Sequence, residues 1–349
     1  MLNWLLLFVP IALTLGFTGW VSPLAIFVLA ALGIVPLAGV LGEATEDLAS
    51  HLGQGLGALL NATMGNATEL IIAIFALRAG HAEVVKASLS GSIIGNILLV
   101  LGLSVLVGGW KRDKQRFSRQ TTAVNSTMLF IAVVALVMPA VFAWSVFGHL
   151  HEHGELVEKM SLWTSLVLIV VYLLSLRFAF GTHAAKNEER HVTDRSAGPA
   201  LVALVLATIL IAVLSELLVA QIEATKQALG WSDLFLGVIV IAIVGNAAEH
   251  GTAIAMAARD KMDLALGVAI GSSAQIALLV APLLVFVAWM MHKPMSLIFV
   301  PMEIAGIALA VLIVEMISSD GETTWFEGVQ LLAVYLILAV AFYFVPSAG

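Results

Sequence analysis

Gly65-Asn66-Ala67-Thr68-Glu69 is followed 180 residues later by Gly245-Asn246-Ala247-Ala248-Glu249. Gly91-Ser92 returns at the same offset as Gly271-Ser272, so each copy places its two glycines 26 residues apart. A register kept over this distance without a gap indicates an internal repeat. The rest of the sequence is therefore read as two related halves.

The composition is typical of a membrane protein. Of the 349 residues, 61% are hydrophobic and only 11% are charged, whereas a soluble domain has about a quarter charged residues. Eleven apolar runs are long enough to cross about 30 Å of hydrocarbon as helices: 4–20, 22–41, 56–79, 84–109, 121–147, 156–180, 199–221, 234–258, 263–290, 295–317 and 324–345. We predict an all-α polytopic membrane protein with about 11 transmembrane helices.

The repeat divides these helices into two sets of five. The first five-helix repeat covers 22–180 and the second covers 199–349, joined by a cytoplasmic linker over 181–198. An extra N-terminal transmembrane helix over 1–21 stands outside the repeat. Because five is odd, each repeat starts on the opposite side of the membrane from its twin. Inverted repeats of this kind are typical of alternating-access transporters.

Charge gives an orientation and excludes some partners. If the N-terminus is cytoplasmic and the C-terminus outside, 11 of the 16 basic residues lie inside, as the positive-inside rule requires. The net charge of −7 provides no basic surface for nucleic acid. The absence of cysteine excludes disulfides and thiol chemistry. The lipid bilayer is the expected partner, and the sequence leaves a homo-oligomer open.

Glu69 and Glu249 lie in the middle of predicted spans, where an ionisable residue is costly and usually functional. Asn66 and Asn246 each precede one of these glutamates by three residues, on the same helix face. Carboxylate and amide oxygens form a hard shell that suits Ca²⁺. Two carboxylates cannot both stay ionised when that shell is empty, so we predict that Ca²⁺ and protons exclude each other there. The alternative is that both glutamates only pack.

The repeated glycines are expected to interrupt helices, because glycine weakens a helix and a broken helix can turn its carbonyls towards an ion. We predict helix breaks at four positions: Gly65, Gly245, Gly91 and Gly271.

Further polar residues in the spans are secondary candidates. The possible additional ligands are Ser92, Ser272, Asn96 and Gln275, although small and polar residues also serve packing between membrane helices. His250 could relay a proton from Glu249, but it points about 100° away on a helix, so a role other than that of a ligand stays open. Among the glutamates Glu216, Glu303 and Glu315, Glu216 is the best candidate for an ion or proton pathway.

The paired Gly-Asn-Ala-x-Glu elements, each followed by a Gly-Ser helix, resemble the signature repeats of the cation/proton exchangers. The resemblance runs from about Glu43 to the C-terminus. It implies Ca²⁺/H⁺ antiport with Glu69 and Glu249 as central ligands, Ca²⁺ as transported substrate and no resident cofactor. It also implies that Glu43, Glu46 and Glu216 line the cytoplasmic approach. Eukaryotic relatives carry a long N-terminal extension and an acidic linker that this sequence lacks, which favours a prokaryotic inner membrane.

Other functions are weighed against antiport. Sodium-coupled relatives carry Thr-Ser and Pro-Glu in the equivalent helices, and this sequence has neither, which lowers a Na⁺- or K⁺-coupled Ca²⁺ exchanger to second place. A passive cation channel is a remote alternative because the repeats are inverted. A membrane enzyme is also remote, since no nucleophile, metal-hydrolase or phosphate-binding motif is present.

Overall fold

The computed structural model describes residues 3–148, 154–183 and 197–346. Most of the predicted linker over 181–198 lies outside the described residues. The described part is helical, as predicted, and includes one pair of two-residue strands. Eight of its helices are long and apolar enough to cross a membrane: Pro23–Leu52, Ala82–Gly109, Thr122–Phe147, Glu155–Phe178, Ala197–Ala220, Met262–Met290, Pro301–Ser318 and Trp325–Tyr343.

The helices, numbered in chain order, have these bounds: α1 Phe8–Thr18, α2 Pro23–Met64, α3 Ala67–Ala79, α4 Ala82–Gly109, α5 Arg119–Phe147, α6 Glu155–His183, α7 Ala197–Ala220, α8 Ile222–Leu229, α9 Asp233–Gly245, α10 Ala247–Ala258, α11 Met262–Met290, α12 Pro301–Ser318 and α13 Trp325–Tyr343. The strands are β1 Gln115–Arg116 and β2 Glu322–Thr323. A 3₁₀ turn over Asn3–Leu7 precedes α1.

The predicted count of eleven spans is not confirmed. The described residues give eight spans, or nine if α8 and α9, which are bent by 113°, are counted as one. The helix at Trp4–Thr18 is too short to qualify. The third and eighth predicted spans are interrupted, since α2 ends at Met64 before α3 and α9 ends at Gly245 before α10. A 13-residue helix such as α3 covers only about 20 Å.

The chain forms two compact units that combine helices from both halves of the sequence. Unit 1 comprises 1–79, 170–230 and 244–248, and unit 2 comprises 80–169, 231–243 and 249–349. In unit 1, α2 packs along α7 and α1 packs on α2. Leu214 and Leu217 of α7 fill the space left by Gly33 and Gly16. These units are defined by packing, so the division into five-helix repeats stays a prediction.

At one end of unit 2, three connections between helices are tied together. Strands β1 and β2 pair antiparallel, which joins the connection after α4 to the one before α13. Arg112 forms an ion pair with Asp260 at 3.2 Å, and the Ser118 N–H donates to Asp263 at 2.6 Å. All three connections are among those that the sequence places on the cytoplasmic side.

At the opposite end of unit 2, the segment between α11 and α12 forms hydrogen bonds with α6 and α4. The Leu297 N–H donates to the Ser161 hydroxyl at 3.0 Å, and Lys86 donates to the Ile298 carbonyl at 3.1 Å. Phe235 and Tyr343 form an edge-on ring contact at the same end. The connections predicted to alternate across the membrane therefore segregate to two ends of the unit. Which end faces the cytoplasm stays a prediction.

Candidate ion-binding site

The backbone is interrupted next to both predicted glutamates. Gly65 and Asn66 form a turn between α2 and α3, and Asn246 separates α9 from α10. Each new helix therefore begins just before its glutamate, which places Glu69 and Glu249 in a first turn. The unpaired N–H groups at a helix start favour a nearby negative charge. The breaks thus provide part of the stabilisation that a carboxylate needs at membrane depth.

Within unit 1, the carboxylate of Glu69 is bound by the second copy of the motif. The Asn246 side-chain amide donates to Glu69 Oε1 at 2.6 Å. Gly245 packs against the same side chain, because a Cβ added there would lie 3.0 Å from Glu69 Cγ. Asn66 and Asn246 are both buried. The glycine and asparagine of one copy therefore form the wall beside the glutamate of the other.

Within unit 2, the carboxylate of Glu249 is bound from α11. The Ser272 hydroxyl donates a short hydrogen bond to Glu249 Oε2, and Ser272 is buried. Ser272 is one of the secondary ligands predicted from the sequence, and the structure brings it to the glutamate of its own copy. The carboxylate oxygen of Glu249 and the hydroxyl oxygen of Ser272 are therefore in direct contact.

The remaining predicted ligands lie on α4 and α11 beside stretches of wide helix. Residues Gly95–Val100 and Ile276–Val280 are π-helical and lie almost at the repeat offset, whereas a third π-helical stretch, Leu236–Ile241 in α9, has no counterpart at that offset in α2. Asn96 lies inside the first stretch, and Gln275 directly precedes the second. Ser92 and Asn96 are buried. Extra-wide turns are frequent at functional sites, and no sequence pattern used above indicated them.

The expectation for Gly91 and Gly271 needs correction, because the helices run unbroken through both residues. Gly91 instead permits a close helix crossing, since a Cβ there would collide with the Val238 backbone. Gly271 has open space around the position of its missing Cβ. Close packing, rather than helix breaking, explains the first glycine, and nothing in the structure explains the second.

The residues predicted for the ion pathway are dispersed. Glu43 lines a cavity of about 490 Å³ in unit 1, together with Asp47, which is not among the residues predicted from the sequence. The other lining residues are Val40, Ala44, Pro199, Ala200 and Ala203. Glu46 and Glu216 are exposed and are not among them, and His250 is half-buried beside Glu249 on α10.

Within the ranges that the structure describes, no group of three or more His, Asp or Glu residues is arranged to hold a metal ion. A cation bound at these glutamates would therefore need amide, hydroxyl or backbone oxygens to complete its shell. Those groups are present, as Asn246 lies beside Glu69 and Ser272 beside Glu249.

The model of the sodium/calcium exchanger protein family matches residues 22–181 and 199–344. The chain belongs to this family. A Ca(2+)/H(+) antiporter of Synechocystis is 44% identical, with 98% of this chain and 97% of the relative covered. The Ca(2+)/H(+) antiporter ChaA of Bacillus subtilis is 42% identical, with 96% of both chains covered. The predicted resemblance to the cation/proton exchangers is confirmed.

A solved structure of native YfkE superposes on this chain with a TM-score of 0.87 at 40% identity. The match covers 99% of this chain and 100% of that structure. The all-α membrane fold is thus confirmed by a relative as well as by the apolar helices. The exchanger fold places the chain in the membrane as an integral protein.

Proposed function

We propose that the chain exchanges Ca²⁺ for H⁺ by alternating access, with Glu69 and Glu249 binding Ca²⁺ or protons in mutual exclusion. The observation that carries the proposal is the hydrogen-bonded carboxylate at the start of α3 and of α10, each held by a side chain that the repeat supplies. The names of the relatives support Ca²⁺ and H⁺ as the transported ions.

The chemistry of the two carboxylates explains the coupling. Two carboxylates balance the charge of one Ca²⁺, and Ca²⁺ prefers six to eight oxygen ligands. Once Ca²⁺ leaves, two ionised glutamates in a low dielectric are unfavourable, and protons neutralise them. The same oxygen atoms cannot bind both ions at once. Outward movement of one ion is therefore tied to inward movement of the other.

The polar residues near the glutamates would complete the Ca²⁺ shell. These are Asn66, Asn246, Asn96, Gln275, Ser92 and Ser272. In the same proposal His250, Glu43, Glu46 and Glu216 serve the ion or proton pathway. The cavity at Glu43 and Asp47 supports an entrance for cations there. The breaks at Asn66 and Asn246 and the corresponding π-helical stretches of α4 and α11 support two inverted repeats over 22–180 and 199–349.

In this proposal the protein is a transporter and not an enzyme, Ca²⁺ is its substrate, and it needs no cofactor. Its N-terminus lies in the cytoplasm and its C-terminus outside a prokaryotic inner membrane. A homo-oligomer stays an expectation from the sequence.

The test is ⁴⁵Ca²⁺ uptake into proteoliposomes under an imposed pH gradient without sodium, with Glu249→Gln and Glu69→Gln beside the wild type. We expect gradient-driven uptake by the wild type and none by either variant. Glu223→Gln is the control, because Glu223 is exposed and pairs with Lys226. Uptake that requires Na⁺ or K⁺ would show that this ion, and not H⁺, is the coupling ion. Normal uptake by both variants would show that the two glutamates are not part of the ion site.

A further inference from the structure

Glu303 is a buried carboxyl that the proposed Ca²⁺ site does not use. It lies at the start of α12 in unit 2, and only 2% of it is exposed. Its Oε1 accepts a hydrogen bond from the Ser90 hydroxyl at 2.7 Å, and its Oε2 accepts one from the Val300 N–H at 2.9 Å. A buried ionisable group in a membrane helix needs a reason, because its charged form is costly there.

A chain of charged groups on α4 connects this region with the surface. Lys86 is 3% exposed, and its ammonium binds Glu83 at 2.9 Å and the Ile298 carbonyl at 3.1 Å. The Glu83 side chain is 53% exposed. Polar groups therefore extend inward from the surface along α4, from Glu83 through Lys86 to the turn of Ser90.

Helices α5 and α13, which also pack on α12, place their charged residues away from this end of unit 2. The charged residue of α5 is Arg119 and that of α13 is Glu327, and both lie at the far end beside the paired strands with Glu322. The other titratable groups at this end are Glu155, Glu158 and Lys159 of α6, Asp233 of α9, His292 and Lys293 after α11, and Tyr335 and Tyr343 of α13. Glu83 and Lys86 are thus the charged groups that α4 presents towards Glu303.

The hydrogen bonds around Glu303 can be completed in both of its protonation states. The Ser90 hydroxyl is 2.7 Å from Glu303 Oε1 and 3.0 Å from the Ala87 carbonyl. With Glu303 ionised, Ser90 donates to it. With Glu303 protonated, the carboxyl O–H donates to Ser90 Oγ, and Ser90 turns its own hydrogen to the Ala87 carbonyl. Neither state leaves a buried donor unpaired, so neither incurs that desolvation cost.

We propose that Glu303 is a further proton-binding residue of the exchanger, besides Glu69 and Glu249, and that it takes up and releases one proton in each transport cycle with Ser90 as its switching partner. Uptake transfers a proton from hydronium to Glu303 Oε1 and leaves water, and the reverse transfer restores the carboxylate without movement of electrons. The proposal rests on the proposed Ca²⁺/H⁺ exchange, because it adds a proton site to that reaction.

A purely structural role would have a different signature. Glu303 is the third residue of α12 and caps it through the Val300 N–H, a task that a glutamine oxygen can also perform. Glu303→Gln therefore keeps the cap and the hydrogen bond to Ser90 but cannot titrate. Glu327 caps α13 through the Thr324 N–H in the same way, which makes Glu327→Gln a matched control.

The experiment compares two modes of transport in proteoliposomes. Exchange of ⁴⁵Ca²⁺ for unlabelled Ca²⁺ requires no net proton transfer, whereas ⁴⁵Ca²⁺ uptake driven by a pH gradient does. We expect Glu303→Gln to keep the rate of Ca²⁺/Ca²⁺ exchange and to lower the rate of pH-driven uptake on the order of tenfold. A positioned proton-transfer group contributes about a hundredfold or more, so this expectation is conservative. Ser90→Ala should lower the second rate less, and Glu327→Gln should lower neither.

Three results would overturn the proposal. Wild-type rates in both modes for Glu303→Gln would leave Glu303 as a cap only. A parallel loss in both modes would mark a structural defect that is not specific to protons. A wild type that exchanges Ca²⁺ for Ca²⁺ but shows no pH-driven uptake would overturn the proposed function itself, and that failure appears before any variant is made.

Discussion

The two copies of the Gly-Asn-Ala-x-Glu motif have the same backbone plan, and each glutamate accepts a hydrogen bond from a side chain of a different chemical kind. In both copies a helix begins just before the glutamate. Glu69 accepts a hydrogen bond from Asn246, which belongs to the other copy, whereas Glu249 accepts one from Ser272 of its own copy. A repeat in sequence thus yields similar backbone geometry, and both an amide and a hydroxyl donate to the repeated carboxylates. In the proposed exchange the two glutamates share one task, and the comparison concerns an amide donor at one and a hydroxyl donor at the other.

The chemical difference between the two partners is specific. The amide nitrogen of Asn246 only donates, while the hydroxyl of Ser272 can donate or accept. The Ser272 contact with Glu249 therefore survives protonation of the carboxylate by reversing its direction. When Glu69 is protonated, the Asn246 amide donates to the carboxyl oxygen that carries no proton.

The largest effect is expected from removing either charge. Glu69→Gln and Glu249→Gln should each weaken Ca²⁺ binding by at least about thirtyfold, since loss of one partner of a buried charge pair costs about 2–5 kcal/mol. Calorimetric titration of the purified protein with Ca²⁺ measures this loss. Binding that is retained in one variant and lost in the other would mean that only one copy holds the ion.

A second comparison uses the repeated glycines. Gly91→Ala should destabilise the protein by about 1–3 kcal/mol, the usual cost of overpacking, because its Cβ would collide with the Val238 backbone. Gly271→Ala is the matched control in the other copy, where the added methyl meets open space, and it should be neutral or slightly stabilising. Thermal unfolding of both purified variants measures the difference. Equal melting temperatures would show that α4 and α9 can move apart without cost.

The smaller contribution of Ser272 can be separated from its packing. Ser272→Ala should weaken Ca²⁺ binding by at least about tenfold, because hydrogen bonds to charged groups contribute about 1.5–3 kcal/mol. The neighbouring Ser273 has the same size and is buried, but its hydroxyl donates to the Ala269 carbonyl within its own helix. Ser273→Ala should bind Ca²⁺ like the wild type. A similar loss in both variants would assign the effect to helix packing.

Much of the fold could be predicted from the sequence, because apolar length alone decides which segments can cross a bilayer. Apolar length could not predict where a helix continues beyond its apolar run. Helix α2 runs from Pro23 to Met64 through a polar stretch that hydropathy treats as a connection, since a helix satisfies its backbone in water as well as in lipid. The offset of 180 residues identified Glu69 and Glu249, but it could not reveal that Asn246 binds the glutamate of the other copy.

The smallest effect is expected from Glu322, a carboxylate outside the membrane helices. Its hydrogen-bond partner is about as close as the partners of Glu69 and Glu249. Glu322 binds Lys114 at 2.5 Å at the strand end of unit 2. The hydrogen bond and the charge of Lys114 hold the pKa of Glu322 below its ordinary value, and Glu322 raises the pKa of Lys114.

Because the pKa of Glu322 is lowered by folding, its stabilising contribution is present above the unfolded value of about 4.3 and is lost as the pH falls through the folded value. Glu322→Gln should therefore lower the melting temperature slightly at neutral pH, and the difference should vanish in acid. Ca²⁺ uptake should not change, since exposed ion pairs contribute little. A loss of uptake as large as that of Glu249→Gln would mean that a close partner, rather than burial in a membrane helix, is what makes a carboxylate of this protein functional.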